Sequence, residues 1–192
     1  MEDKIRIGLI YGSAREGRFC DTVAAWAAAE IENRSEFSLD RIDPATLDLP
    51  FRPKGEDDGG LLELHRKAGA ADAFVVVTPE YNHSYPAVLK LLIDSVYQQW
   101  RAKPVAFVSY GGVSGGLRAV EHLRHVFAEL HAVAIRDGVS FANAWKQFGS
   151  DGTLLNPAAS RKSMRVLLDR LNWWAIALRN ARSATPYDLE AA

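Results

Sequence analysis

The hydrophobic pattern along the chain predicts five β-strands. Three continuous apolar runs, "IRIGLIYG" at 5–12, "AFVVVT" at 73–78 and "PVAFVSY" at 104–110, are typical of strands buried on both faces of a parallel sheet. The segment "EFSLDRID" at 36–43 alternates apolar and polar residues, as a half-buried edge strand does. The short run "AVAI" at 132–135 predicts a fifth strand.

Between these strands, apolar residues recur at the spacing of helices with one buried face. The predicted helices cover residues 21–32, 61–69, 86–98, 117–131 and 158–182. Strict alternation of strand and helix predicts a parallel sheet with helices on both faces. We therefore expect a three-layer α/β fold, a doubly wound five-stranded parallel sheet with strand order 2-1-3-4-5.

Composition adds limits on what the protein does. The chain has 192 residues, and we expect one domain over residues 1–183 with a flexible polar tail at 184–192. Lys plus Arg number 23 and Asp plus Glu 24, so no strong overall charge attracts nucleic acid. No apolar run is long enough for membrane insertion. The single cysteine, Cys20, fits a reducing compartment, and we predict a cytoplasmic protein.

The predicted topology also places a ligand site. In a doubly wound sheet, ligands bind beyond the carboxyl ends of the strands, where the strand order reverses. Three connections meet there, after the first, third and fourth strands. We call them loop 1 (12–19, "GSAREGRF"), loop 2 (79–86, "PEYNHSYP") and loop 3 (109–116, "SYGGVSGG").

Loop 1 nearly matches the phosphate-binding pattern G-x-x-x-x-G-K-[ST]. Arg18 stands in place of the lysine and Phe19 in place of the Ser/Thr, so the usual magnesium ligand is missing. Ser13, Arg15 and Arg18 still suit an anion beside the start of a helix. The loop is either a metal-free monophosphate site or a solvated turn with two surface arginines.

Loops 2 and 3 are unusual connectors. Pro79 and Pro86 stiffen loop 2, which can present its backbone groups, Tyr81 and Asn82 to the edge of a heterocycle. Four glycines within 111–116 let the backbone of loop 3 pass close to a flat ligand. Taken alone, loop 2 is equally a rigid strand–helix turn, and loop 3 a flexible connector.

Together, the segments "GSAREGRF", "TPEYNHSYPAVLKLLID" and "SYGGVSGG" resemble the NADPH-dependent FMN reductase family. That family includes quinone, azo-dye and chromate reductases of flavodoxin-like fold, and the resemblance covers roughly residues 5–135. It implies FMN as cofactor, NADPH or NADH as co-substrate, a small-molecule electron acceptor and a homodimer or homotetramer. It implies no catalytic side chain, because the flavin carries the chemistry.

The resemblance also implies which residues bind the flavin. Loop 1 would bind the phosphate, loop 2 would contact the isoalloxazine ring, and loop 3 would border the ring from the other side. The implied residues are Ser13, Arg15, Arg18, Phe19 and Cys20; Pro79, Glu80, Tyr81 and Asn82; and Ser109, Tyr110, Gly111, Gly112, Ser114 and Gly115. Many members have Ser and Asn where this chain has Arg18 and Cys20, although one branch carries Arg and Cys there.

Two other functions stay open. A one-electron carrier of the flavodoxin type is usually strongly acidic around the flavin, which a net charge of −1 and the arginines of loop 1 argue against. A non-enzymatic flavin-binding module is also compatible with the sequence. Outside the motifs, His83 is either a surface histidine or a contact for nicotinamide or quinone. Tyr97 and Trp100 are candidates for a subunit interface, since aromatic residues are enriched there.

Overall fold

The computed structural model describes residues 4–52, 55 and 59–187 and contains the predicted parallel sheet. Its strand order is β2-β1-β3-β4-β5, which confirms the predicted order 2-1-3-4-5. The strands are β1 (Ile5–Tyr11), β2 (Phe37–Ile42), β3 (Ala73–Pro79), β4 (Pro104–Gly111) and β5 (Val133–Ala142).

Five helices cover the two faces of this sheet, as predicted. They are α1 (Cys20–Glu32), α2 (Leu61–Ala70), α3 (Ala87–Asp94), α4 (Leu117–Glu129) and α5 (Pro157–Ala184). Helices α1 and α5 pack against one face and enclose the first apolar core. Helices α2, α3 and α4 enclose the second core on the opposite face. Every connection from a strand to its following helix therefore lies at the carboxyl edge of the sheet.

Two elements differ from the sequence prediction. Strand β5 continues past residue 135 to Ala142. Its register with β4 shifts between the pairs Val105–Ala134 and Phe107–Gly138, and pairing then continues to Ala142. Its second half has one buried side, so no continuous apolar run marks it. Helix α3 ends at Asp94 instead of 98, where the Ser95 hydroxyl donates a hydrogen bond to a carbonyl of the last turn (2.7 Å).

The assignment of Trp100 to a subunit interface is wrong. Trp100 lies in a 3-10 turn after α3 and is fully buried in the second core. Its indole N–H donates to the carbonyls of Ile93 (3.0 Å) and Val96 (2.9 Å), and its ring packs on Phe74 with 4.7 Å between centroids. After α3 ends at Asp94, the chain enters this turn, and the indole packs into the second core.

The sequence predicts a flexible tail over residues 184–192. At its start, the hydroxyl of Tyr187 lies 2.8 Å from Nδ1 of His131, two residues after the end of α4. Residues 188–192 of the predicted tail lie outside the described residues. Within the part of the chain that the structure describes, no helix combines the length and apolarity needed to cross a bilayer.

Replacing Trp100 tests its place in the core. We expect Trp100→Ala to lower the free energy of unfolding by about 3–5 kcal/mol, because it removes a fully buried indole. Trp173→Ala is the matched control, since Trp173 is 62% exposed on α5 and should cost less than about 0.5 kcal/mol. Urea denaturation followed by circular dichroism measures both. Equal losses in the two variants would contradict the packing described here.

Candidate functional site

Loops 1 and 2 contact each other directly at the carboxyl edge of the sheet. The Ser13 hydroxyl, which is buried, lies 2.9 Å from the hydroxyl of Tyr81. The guanidinium of Arg15 lies over the Tyr81 ring, 3.9 Å from its centroid. Beside this contact is an open cleft of about 430 Å³. It is lined by Ser13, Ala14, Arg15, Tyr81, Asn82, Tyr85, Pro86, Ala87 and Val88.

The backbone of loop 1 is pressed against the end of β3. The N–H of Gly12 donates to the carbonyl of Val77 (2.7 Å), and a Cβ at position 12 would lie only 2.6 Å from that oxygen. Only glycine fits there. Helix α1 begins just after the loop, and Phe19 at its N-cap supplies no capping hydrogen bond. Its first-turn amides are therefore free of a side-chain cap, which suits an anion.

Arg18 turns its charge inward. Its guanidinium forms an ion pair with Asp43, directly after β2, and a second one with Asp21 (2.8 Å). It also donates to the backbone carbonyl of Ser13. Burial alone would raise the pKa of Asp43, but the hydrogen bonds from Arg18 keep that pKa below its ordinary value. Arg18 thus ties loop 1 to the end of β2.

Three other predicted residues, Phe19, Cys20 and Tyr110, pack on the protein side of loop 1. The Cys20 thiol is fully buried, lies 3.8 Å from the carbonyl of Val77, and has a pKa raised by burial. The ring of Phe19 packs on Tyr110 (6.0 Å between centroids) and on Phe148 (5.7 Å). Tyr110 is itself buried. These side chains shape the loop from the protein side.

Loop 2 contains a tight two-residue turn. Tyr81 and Ser84 exchange backbone hydrogen bonds of 2.8 and 3.1 Å, while Asn82 (φ 50°) and His83 (φ 72°) adopt the left-handed conformation between them. The Ser84 hydroxyl lies 2.8 Å from Nδ1 of His122 on α4. This places both Asn82 and His83 at an exposed tip whose base is bonded to a helix.

Glu80 joins loop 2 to loop 3. Its Oε2 accepts hydrogen bonds from the Ser114 hydroxyl (2.8 Å) and the backbone N–H of Arg118 (3.2 Å), and its Oε1 accepts from the Arg118 guanidinium (2.8 Å). The carboxylate side chain is 8% exposed. Burial acts to raise its pKa, but these donors lower it overall below 4.5. Glu80 therefore holds two loops and the start of α4 together.

The conformation of loop 3 is held by hydrogen bonds to the carbonyl of Gly115. The hydroxyls of Ser109 (2.8 Å) and Ser140 (2.9 Å) both donate to the carbonyl of Gly115. Gly115 (φ 62°) and Gly116 (φ 84°) are left-handed, and a Cβ at 115 would lie 2.3 Å from the Ser140 hydroxyl. By contrast, the first atom that a Cβ on Gly112 would meet is the ring tip of Trp145, at 3.9 Å. The backbone of loop 3 is thus open near Gly112.

Sequence reasoning missed four residues of this site: Asp43, Arg118, His122 and Trp145. Two of them carried a signal in the sequence. A cation in the first turn of a helix opposes the helix dipole, so Arg118 needed an acidic partner. Asp43 was also detectable, since strand 2 was predicted beside strand 1 and their ends must meet. His122 and Trp145 carried no motif.

Comparison with known proteins places this geometry in context. Residues 5–146 match the model of a protein family described as NADPH-dependent FMN reductase. An NAD(P)H-dependent FMN reductase from Schizosaccharomyces pombe is 36% identical over 132 residues, which are 63% of this chain and 64% of that protein. The chain thus aligns with slightly less than two thirds of that relative's length.

Longer alignments exist with other proteins. An NAD(P)H:quinone oxidoreductase from Solanum tuberosum is 39% identical over 179 residues, covering 85% of this chain and 90% of that protein. A solved flavoenzyme NAD(P)H:(acceptor) oxidoreductase from Paracoccus denitrificans superposes with a TM-score of 0.72. It is 19% identical and covers 92% of this chain and 98% of its own, so it shows a shared fold.

The Glu80 bridge leads to a pH prediction. Because its pKa is lowered on folding, its contribution to stability is present above pH 4.5 and is lost as the pH falls through the folded-state pKa. We expect Glu80→Gln to be less stable than wild type at pH 7. The difference should shrink as the pH is lowered from about 5 to about 3.

Denaturation midpoints measured across this pH range check the prediction. Glu121→Gln on the exposed side of α4 is the control, and its stability should follow the wild-type pH dependence. A difference between wild type and Glu80→Gln that stayed constant with pH would show that the carboxylate charge is not what joins the loops.

Proposed function

The chain belongs to the NADPH-dependent FMN reductase family, and on that premise we propose that it is an FMN-dependent NAD(P)H oxidoreductase that reduces small acceptors such as quinones. One observation carries the proposal. The three loops at the point where strand order reverses are bonded into one unit, by Ser13 with Tyr81 and by Glu80 with Ser114. A preformed site of this kind suits a rigid planar cofactor.

In this proposal, loop 1 binds the FMN phosphate. Ser13 lines the cleft, the uncapped start of α1 offers amide N–H groups, and Arg15 is exposed on the cleft wall. Arg15, whose guanidinium stacks on Tyr81 and forms no ion pair among the described residues, supplies the positive charge, because that of Arg18 is engaged by Asp43 and Asp21. Arg18, Phe19 and Cys20 act by holding the loop in shape.

The isoalloxazine ring is assigned to loops 2 and 3. Pro79, Tyr81 and Asn82 would present backbone and side-chain groups from one side. The backbone of Gly111 and Gly112, which is open at Gly112, would border the other side. The remaining predicted residues hold these loops in place through the bonds described above. They are Glu80, Ser109, Tyr110, Ser114 and Gly115.

Bound FMN would supply the electron chemistry, accepting a hydride from NAD(P)H and passing two electrons to the acceptor. The overall reaction is NAD(P)H plus a proton and a quinone giving NAD(P)⁺ and a hydroquinone. The chain's own residues bind, orient and shape the site, and no side chain is assigned as acid or base. A homodimer or homotetramer in the cytoplasm stays a prediction that ultracentrifugation and localisation experiments can test.

An anaerobic titration of the FMN-loaded protein with NADPH tests the proposed function. We expect the visible flavin band to bleach in a single two-electron step and to recover on addition of 1,4-benzoquinone. A retained band that does not bleach would favour a non-enzymatic flavin-binding module. Bleaching in two separate one-electron steps with chemical reductant, without turnover of NADPH, would favour the one-electron carrier.

Removing the exposed guanidinium of Arg15 tests the phosphate assignment. Arg15→Ala should weaken FMN binding about 10-fold, since a charge-assisted hydrogen bond is lost. It should leave riboflavin binding unchanged, because riboflavin lacks the phosphate. Fluorescence titration of both flavins gives the two dissociation constants.

Two further variants complete that test. Arg66→Ala, an exposed arginine paired within α2, is the control and should alter neither constant. Arg18→Ala should lower thermal stability as well as affinity, because it breaks the pairing with Asp43. Equal losses for FMN and riboflavin in Arg15→Ala would refute a role for Arg15 at the phosphate.

A further inference from the structure

Trp145 is a large apolar side chain exposed beside loop 3. It is 60% exposed, although it lies in the short 3-10 turn that follows β5 directly. Its ring tip is the first atom that a Cβ on Gly112 would meet, at 3.9 Å. The next residue of loop 3, Val113, is 88% exposed. Trp145 and Val113 thus offer exposed apolar surface next to the predicted flavin border.

The turn that carries Trp145 is firmly anchored. The N–H of Asn143, which is left-handed at φ 49°, donates to the carbonyl of Gly112 (2.8 Å). Ala144 is fully buried, and Phe148 packs between Phe141 (5.1 Å between centroids) and Phe19. Trp145 is therefore fixed at the loop 3 rim by its neighbours, while its own side chain contributes little to the core.

The surroundings of Trp145 are nearly uncharged. Loop 3 has no ionisable side chain between 109 and 116 except the buried phenol of Tyr110. Glu80 and Arg118, which join loop 2 to loop 3 and the start of α4, form an ion pair with each other. On the 143–147 turn itself the charged residue is Lys146. A surface of this kind suits a neutral aromatic molecule better than an oxyanion or a phosphorylated one.

We propose that Trp145 and Val113 form an apolar shelf that selects neutral, planar aromatic electron acceptors of the quinone class. This inference rests on the proposed function, and it narrows the acceptor within it. The indole face stacks on the quinone ring, and Val113 covers part of its edge. Small anionic acceptors such as ferricyanide gain nothing from the shelf and are reduced without it.

The experiment compares Trp145→Ala with wild type in the FMN-loaded enzyme. For 1,4-naphthoquinone we expect about a 10-fold rise in KM, while the KM for NADPH and the rate with ferricyanide stay within about twofold. Trp145→Phe should restore most of the quinone affinity, because a phenyl ring still stacks. Lys146→Ala is the control on the same turn, and its KM for naphthoquinone should equal that of wild type.

A second readout does not depend on turnover. Calorimetric titration of the oxidised, FMN-loaded protein with 1,4-naphthoquinone should show the same affinity loss in Trp145→Ala. If wild type binds naphthoquinone but never oxidises NADPH, the proposed function fails and the shelf stands. If wild type turns over but Trp145→Ala binds as tightly as wild type, the shelf is refuted and the function stands.

Other results would overturn the proposal as well. A parallel loss with naphthoquinone, ferricyanide and NADPH would mean that Trp145 supports the whole site. A change in sedimentation coefficient of Trp145→Ala would mean that a second copy of the chain covers the indole. Unchanged sedimentation is the result that we expect.

Discussion

The site depends above all on one buried carboxylate. Strands β3 and β4 pair in parallel up to Pro79 and Tyr110, so the chain leaves both strands at the same level. Glu80 then meets the loop after β4, and its two oxygens accept from a hydroxyl, a backbone amide and a guanidinium. A carboxylate with so little exposure needs all these donors, because an unpaired buried charge is strongly destabilising. Loops 2 and 3 consequently have one relative position.

Loop 1 is also held in position by a largely buried charged side chain, in this case the cation of Arg18. Arg18 is bound inward by Asp43 and Asp21, and Gly12 continues the contact with β3. The polar residues of these loops therefore fall into two groups that the sequence does not distinguish. Arg18 and Glu80 form ion pairs with other residues of the protein and thereby determine the shape of the loops. Arg15 and Asn82 are exposed and line the cleft. Binding a planar cofactor then requires little reorganisation.

The exposed surface beside loop 3 differs in character from the cleft wall at Arg15. The exposed surface beside loop 3 includes the backbone near Gly112, the side chains of Val113 and Trp145, and the half-exposed guanidinium of Arg118. The strained Asn82–His83 turn lies on the loop 2 side, held at its base by His122. The exposed guanidinium of Arg15 and the exposed indole of Trp145 thus lie beside different loops of the site.

The sequence by itself determined the sheet, its strand order, the presence of helices on both faces and the three loops that meet at its carboxyl edge. Those follow from local periodicity and from the topological rule for parallel sheets, which need only residues close together in the chain. Only the tertiary structure decided that Arg18 pairs with Asp43, that Glu80 bridges to Arg118, and that Trp100 is core while Trp145 is exposed. Each of those outcomes depends on contacts between residues distant in sequence, or on where one helix ends, and hydrophobic spacing carries no information about either.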